Sequence, residues 1–351
     1  MNMELVSWPS TPLLRQALLS IEYKSTYSGR DADENPIFDK TKKLPTLTYR
    51  GTVKIHGMNC SAVVRMSDLE LQAQSRNLVL SETETCNGFY GFLNEKEKSD
   101  YFLAFSKNLD TYFDKKYNAY AFFGEWAGHS IQKKVAVSKV PRFFMLFGVI
   151  GVDSNGEKTQ LDENLIYLMM KQIKNKPHAV YHSLDFPSFI FELDFNKVQD
   201  WLPKLSVLVE DIEKSCPVGL YFGEQGTGEG LVFKCLTPGW EDSRYWFKLK
   251  GEKHKVSKDT TINEDKIQLQ NSVQSFVNYS CTENRLEQGI DMVFGQKDQT
   301  PTKEKLADFL KWVVQDILKE ESDTLEKSSL SSKDVTKAIS TKARKWYLER
   351  F

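Results

Sequence analysis

The stretch "VKIHGMN", Val53 to Asn59, places a lysine, a histidine and a glycine inside a segment that otherwise reads as β. "LTYRGT" leads into it and "CSAVVRM" follows. Lysine and histidine in a strand ordinarily face solvent. Glycine in a strand interior weakens it, unless backbone or a ligand must come close. The stretch is therefore either a solvated edge or a reactive site, and the rest of the chain decides which.

Composition narrows the setting. The chain has 351 residues, enough for two ordinary domains or one large domain with an appendage. Hydrophobic residues make up 40% and charged residues 27%, the balance of a soluble globular protein. Net charge is −1, so a nucleic-acid surface has to be local. The cysteines, Cys60, Cys86, Cys216, Cys235 and Cys281, are odd in number, scattered and never spaced CxxC. They support neither a disulfide framework nor a structural zinc site, and a reducing, cytoplasmic setting is expected. The N-terminus, "MNMELVSWPSTPLLRQALLSIEY", lacks a basic start followed by an apolar core, so no signal peptide is expected. No run approaches the roughly 20 apolar residues of a membrane helix, and no membrane partner is expected.

From about Leu47 to Phe247 strands alternate with helices. "LTYRGTVKI", "CSAVVRM" and "LELQAQS" are short β-like runs with tight connections, which predicts antiparallel pairing. "DYFLAFSKNLDTYFDKKY" predicts a helix, and "AYAFFGEW", "RFFMLFGVIGV", "GLVFKCL" and "RYWFKLK" predict further strands. "LDENLIYLMMKQIKN" and "NKVQDWLPKLSVLVEDIEKS" predict helices in the middle. The expected fold class is α+β, built on antiparallel sheets. Beyond Lys258 the β signals vanish. Leu306, Phe309, Leu310, Val313 and Ile317 share one helical face, and Ser331 with Asp334 forms a capping box ahead of a last helix. The expected domains are 1–258 and 259–351, with "GEKHKVSKDTTINEDK" as the linker.

Lys54, His56 and Gly57 alone are a weak signal, and every later motif also has a plain structural explanation. Glu125 in "FFGEWAG" could be a strand-end carboxylate, "FFMLFGV" core, and "TGEGLVFK" around Glu229 a turn. Lys248 and Lys250 in "YWFKLKG", two apart, project to one side of a strand that could simply be solvated. The order of the motifs is what discriminates. K-x-[D/H]-G, then GE, an aromatic strand, EG-x-V-x-K and K-x-K resembles the covalent nucleotidyltransferase superfamily of DNA ligases, RNA ligases and capping guanylyltransferases. The histidine of "KIHGMN" is similar to the RNA ligase 2 branch, which includes nick-sealing phage ligases and RNA-editing ligases. "FGEWAGHSIQKKV" and the arginine of "QAQSRN" resemble the same branch, and "YSCTENRL" and "WVVQDIL" resemble its helical C-terminal domain.

The resemblance implies an ATP-grasp-like ligase core followed by a small all-helical domain, and an ATP-dependent enzyme using Mg²⁺ or Mn²⁺. It implies RNA with 3′-OH and 5′-phosphate ends as partner, in a nicked duplex or structured RNA, handled by a monomer, and a phage origin. Lys54 is the implied nucleophile, carrying AMP. An ordinary lysine, with a pKa of about 10.4, is nearly all ammonium at neutral pH and cannot attack. Lys248 and Lys250 would favour its neutral form and grip the α-phosphate. Glu125 and Glu229 are the implied carboxylates for the metal, directly or through water, and Glu125 also belongs near the ribose. Phe147 corresponds to the ring on adenine. Ile55, Gly57 and Asn59 lie along the nucleotide, Gly57 letting backbone approach. His56, Asn59 and Arg76 are implied in the later steps and at the RNA end.

For RNA phosphates the stretch "SRYWFKLKGEKHKVSK" offers Arg244, Lys248, Lys250, Lys253, Lys255 and Lys258 against Asp242 and Glu252, extended by Arg285, Lys342, Arg344 and Lys345. Two positions depart from the family pattern. Gly148 stands where related ligases often have Asp, and Val53 where a polar or acidic residue commonly precedes the nucleophile. The second puts a base contact, and the strictness for adenine, in doubt. A capping enzyme or DNA ligase usually carries an OB-fold after the core, and here the chain turns helical. A catalytically inactive RNA-binding relative would not need Lys54, both glutamates and both motif lysines.

Overall fold

The computed structural model describes residues 4–255, 272–294 and 302–350. The expected boundary at Lys258 and most of the expected linker lie outside the described residues. The elements up to the middle of the chain are α1 (Leu14–Thr26), β1 (Tyr27–Arg30), β2 (Pro36–Phe38), β3 (Thr46–Lys54), β4 (Met58–Arg65), β5 (Leu71–Ser75), α2 (Phe89–Asn94), α3 (Lys96–Tyr112), β6 (Ala119–Ala127), β7 (Phe143–Val152) and β8 (Lys158–Gln160). Then come α4 (Glu163–Gln172), β9 (Val180–His182), β10 (Ser188–Asp194), α5 (Val198–Lys214), α6 (Pro217–Tyr221), β11 (Gly230–Cys235) and β12 (Phe247–Lys250). The last helices are α7 (Val273–Ser280), α8 (Glu283–Phe294), α9 (Leu306–Glu320), α10 (Ser322–Lys327) and α11 (Ser332–Leu348). The class is α+β, as expected.

The chain forms two compact units and crosses between them after Lys54. The first unit holds Ile55–Pro187, a piece ending at Pro9 and the short span Val218–Glu224. Its sheet runs β5-β4-β6-β7-β8, all antiparallel, and β9 joins β7 in parallel. Period-2 alternation along "AYAFFGEWA" gives β6 two different faces. Phe122 meets Phe102 and Phe105 of α3 at ring separations of 5.2 and 5.1 Å, and Trp126 meets Phe89 of α2 at 5.6 Å. On the other face Phe123 packs with Val63, Ala121 and Ile150. That second face also carries Asn59 and Glu125, which stand directly opposite each other across β4 and β6. A register shift between Phe123 and Gly124 leaves Phe147 outside the β6–β7 ladder, the local bend expected of a bulge.

The second unit holds Ser10–Lys54, Ser188–Pro217 and the described residues from Gln225 onward. Its sheet runs β10-β3-β11-β12, every pair antiparallel. Helix α5 buries Trp201, Leu205, Val209 and Ile212 at helical spacing. Tyr49, Leu231, Phe233 and Phe247 are buried in the sheet, with the Phe233 and Phe247 rings 4.5 Å apart and nearly parallel. The C-terminal helices have a core of their own around Phe276, Leu286, Phe309, Val313, Ile339 and Tyr347. Ser331 caps α11 with Asp334, as the sequence predicts.

Candidate active site

In the second unit, strand pairing brings the predicted lysines together. Gly230 is in register with Lys54 on one side and Lys250 on the other, so these strand ends lie side by side. Glu229, just ahead of β11, is almost fully buried and meets both: Oε2 is 2.7 Å from Lys54 Nζ, and Oε1 is 3.1 Å from Lys250 Nζ. Its backbone carbonyl accepts the Gly251 N–H at 3.0 Å. Lys248 lies two residues further in, with Nζ 2.9 Å from Glu320 Oε1 on α9. Lys54 keeps 22% of its side chain exposed against 13% for Lys248 and 16% for Lys250, so it is the member of the cluster most open to a substrate.

The charges follow from this packing. Burial pushes the Lys248 ammonium below the ordinary lysine range, and the like charges of Lys250 and Lys54 push the same way against Glu320. Burial opposes ionisation of Glu320 as well. The charges of Lys248 and Lys250 and the hydrogen bond from Lys248 outweigh it and hold Glu320 at about 2.

In the first unit the loop after Lys54 is held by Glu125. The Gly57 N–H donates to Glu125 Oε1 at 3.1 Å, and the Gln132 amide donates to the Gly57 carbonyl at 3.3 Å. A Cβ on residue 57 would stand 2.5 Å from the Trp126 carbonyl oxygen and 2.8 Å from Glu125 Cγ. Within the chain, the close approach that requires glycine here is to strand β6. Ile55 and Val53 are both 3% exposed. Ile55 can present only its backbone to a ligand, and Val53, in register with Leu231, is a core residue. His56 and Asn59 are half-buried, and Arg76 is exposed in the turn after β5.

Phe147 is half-buried, its ring centre 5.3 Å from that of Trp8 and steeply inclined to it. Trp8 explains the departure at Gly148. Its indole lies where a Cβ at residue 148 would go, so an aspartate there would have to displace Trp8. Sequence reasoning passed over Trp8, which sits 140 positions before the residue it constrains.

The expected basic surface needs one correction. Arg285 is fully buried. Its guanidinium donates to the Ser280 carbonyl at 2.7 Å and meets Glu321 and Asp316 at 3.0 Å each, so it cannot serve RNA phosphates. Arg244 is exposed and paired with its neighbour Asp242, and Lys255 is paired with Glu252. Arg344 and Lys345 are exposed on α11, Lys342 donates to the Val277 carbonyl, and Lys258 lies outside the described residues.

No helix among the described residues is long and apolar enough to cross a membrane. Solved structures of an RNA ligase from Naegleria gruberi are similar to this chain. The form with pyrophosphate is 19% identical with a TM-score of 0.43. A variant with ATP and Mn is 18% identical with a TM-score of 0.44, and one with AMP and Mn is 16% identical at 0.43. Each match covers 70% of this chain and 56% of the other. No curated protein matches. The sequence model described as RNA ligase matches residues 48–250, from the strand that carries Lys54 through Lys250. The chain therefore belongs to the RNA ligase family.

Proposed function

We propose that this protein is an ATP-dependent RNA ligase that joins 3′-OH and 5′-phosphate ends, sealing nicks in duplex or structured RNA. The observation that carries the proposal is Lys54 Nζ, 2.7 Å from a buried carboxylate that also holds Lys250, with Lys248 alongside. A lysine must lose a proton before it can attack, and Glu229 Oε2 is the acceptor at hand. Nζ then bonds to the α-phosphorus of ATP, the bond from that phosphorus to the bridging oxygen breaks, and pyrophosphate leaves. Lys248 and Lys250 offset the charge on the transferring group. AMP passes to an RNA 5′-phosphate, and a 3′-hydroxyl attacks that end and expels AMP. The family resemblance assigns Glu125 to the ribose, Phe147 to adenine, and His56, Asn59 and Arg76 to the RNA steps.

The donor set fits a divalent ion that brings most of its ligands as water and nucleotide phosphate. Among the described residues no group of three or more His, Cys, Asp or Glu side chains could hold one. Glu229 already gives both oxygens to lysines. Mg²⁺ or Mn²⁺ carried in with the nucleotide would neutralise its phosphates and keep much of its own water, with Glu125 or Glu229 touching it through water. The five cysteines form no disulfide, in keeping with the intracellular enzyme we infer.

The test is a nicked RNA duplex with ATP and Mg²⁺. The expected result is a sealed strand preceded by 5′-adenylylated RNA, and no product when the nick carries a 5′-hydroxyl. A folded protein that seals neither a nicked duplex nor a structured RNA break would overturn the proposal.

A further inference from the structure

We propose that Glu320 is the positioning residue of Lys248: from the end of α9 it fixes where that ammonium stands, and so ties nucleotidyl transfer to the docking of the C-terminal helices. The proposal rests on the ligase reading above for its functional consequence, and on geometry within the second unit for the contact itself.

Helix α9 ends in an unfavourable way. Its C-terminal end carries the negative pole of the helix dipole, where acidic side chains are disfavoured. Yet Asp316, Glu320 and Glu321 all cluster there. Each is met by a cation from elsewhere in the chain. Arg285 reaches Asp316 and Glu321, Arg15 reaches Glu321 at 2.8 Å, and Lys248 reaches Glu320 at 2.9 Å. The acidic end is thus built to receive cations, and Lys248 is one of them.

Both ends of the Lys248–Glu320 contact are held by the same N-terminal segment. Arg15 Nη2 donates to the Glu320 backbone carbonyl at 2.9 Å, and Gln16 Nε2 donates to it at 3.3 Å. The Lys248 N–H donates to the Pro12 carbonyl at 3.1 Å, and Leu13 bridges to Lys248. Neither partner can drift without moving α1. Glu229 gives its two oxygens to Lys54 and Lys250, and Lys248 draws its counterion from α9 instead. An ammonium has three N–H donors, so one can serve Glu320 while others face a phosphate oxygen.

Loss of that carboxylate would leave a buried ammonium among like charges. The charged groups around Lys248 are Lys250 on its own strand, Lys54 at the end of β3, Glu229 ahead of β11, Asp316 and Glu320 on α9, and Arg15 on α1. Glu320 is the one that raises its proton affinity by direct contact. Without it Lys248 deprotonates at lower pH. Any rate that needs Lys248 charged is kept below that pH and lost as pH rises through it.

The experiment has an arm that needs no ATP chemistry. Trace acetylation of the whole protein across a pH series, read by peptide mass spectrometry, reports the protonation of Lys248 in the parent, Glu320→Gln and Glu320→Asp. The expected result is an onset of Lys248 acetylation at least about one pH unit lower in Glu320→Gln, with Glu320→Asp between. The alkaline limb of AMP transfer should move down by the same amount. If Glu320→Gln does not fold, Glu320→Asp carries the test, because it withdraws the carboxylate and keeps its charge. A fall of about tenfold in AMP transfer is then expected. A folded variant whose Lys248 acetylation and AMP-transfer profile both match the parent overturns the proposal. A Lys248 onset that shifts between the variant and a parent that never takes up AMP supports the contact and refutes the ligase reading.

Discussion

Lys54→Ala is expected to leave the protein with no covalent AMP after incubation with labelled ATP, and Lys54→Arg is expected to do the same. The nitrogen proposed to bond to phosphorus is gone in the first variant. In the second it belongs to a guanidinium that stays charged. Neither change should unfold the chain. Glu229 loses one of two ammonium partners but keeps Lys250 at 3.1 Å, so the expected cost is about 1–3 kcal/mol. The measurement is denaturing electrophoresis of variant and parent side by side, with thermal melts to confirm folding. Covalent nucleotide on Lys54→Ala would remove Lys54 from its role and transfer suspicion to Lys248 or Lys250.

Arg285→Ala is expected to be the most destabilising single change among the charged residues, at about 3 kcal/mol or more. Arg285 and Glu321 are both fully buried, and Asp316 lies on the other side of the guanidinium. Removing the arginine leaves carboxylates in a poorly solvated place, with Arg15, 2.8 Å from Glu321, as a remaining cation. Lysine should not rescue it, because a single ammonium cannot reach Glu321, Asp316 and the Ser280 carbonyl together. Urea unfolding of the variant checks this. Undiminished stability combined with weakened RNA binding would instead restore Arg285 to the surface role its charge suggests in sequence.

The contrast between Lys54 and Arg285 shows what one-dimensional pattern can carry. The strands around Lys54, Glu125, Glu229 and Lys250 were legible because alternation marks a half-buried strand. Their motif order also implied one chemistry, and strand register then placed Lys54, Glu229 and Lys250 together. The side from which a residue is seen was less legible. Val53 and Ile55 flank an accessible lysine and are themselves core, as alternation demands. Gly148 was visible as a departure, but its cause, the indole of Trp8, comes from a segment with no pattern linking the two. Strand β10, "SFIFELD", is hard to see in sequence because it is short and lies between two helical stretches, although it alternates and pairs with β3. Arg285, Arg15 and Glu320 were misjudged or missed because a charge in sequence looks the same whether it is solvated or buried. The available signal was the acidic run at the negative end of α9, which needs cations to be stable there.

The measurement that tests the central claim most directly is incubation of the purified parent protein with Mg²⁺ and α-labelled ATP or, separately, GTP, followed by denaturing electrophoresis and peptide mapping. The account predicts acid-labile label from ATP alone, on the peptide that contains Lys54. Label from GTP alone would point to a capping guanylyltransferase, and no label from either nucleotide on a folded protein would contradict the lysine chemistry altogether.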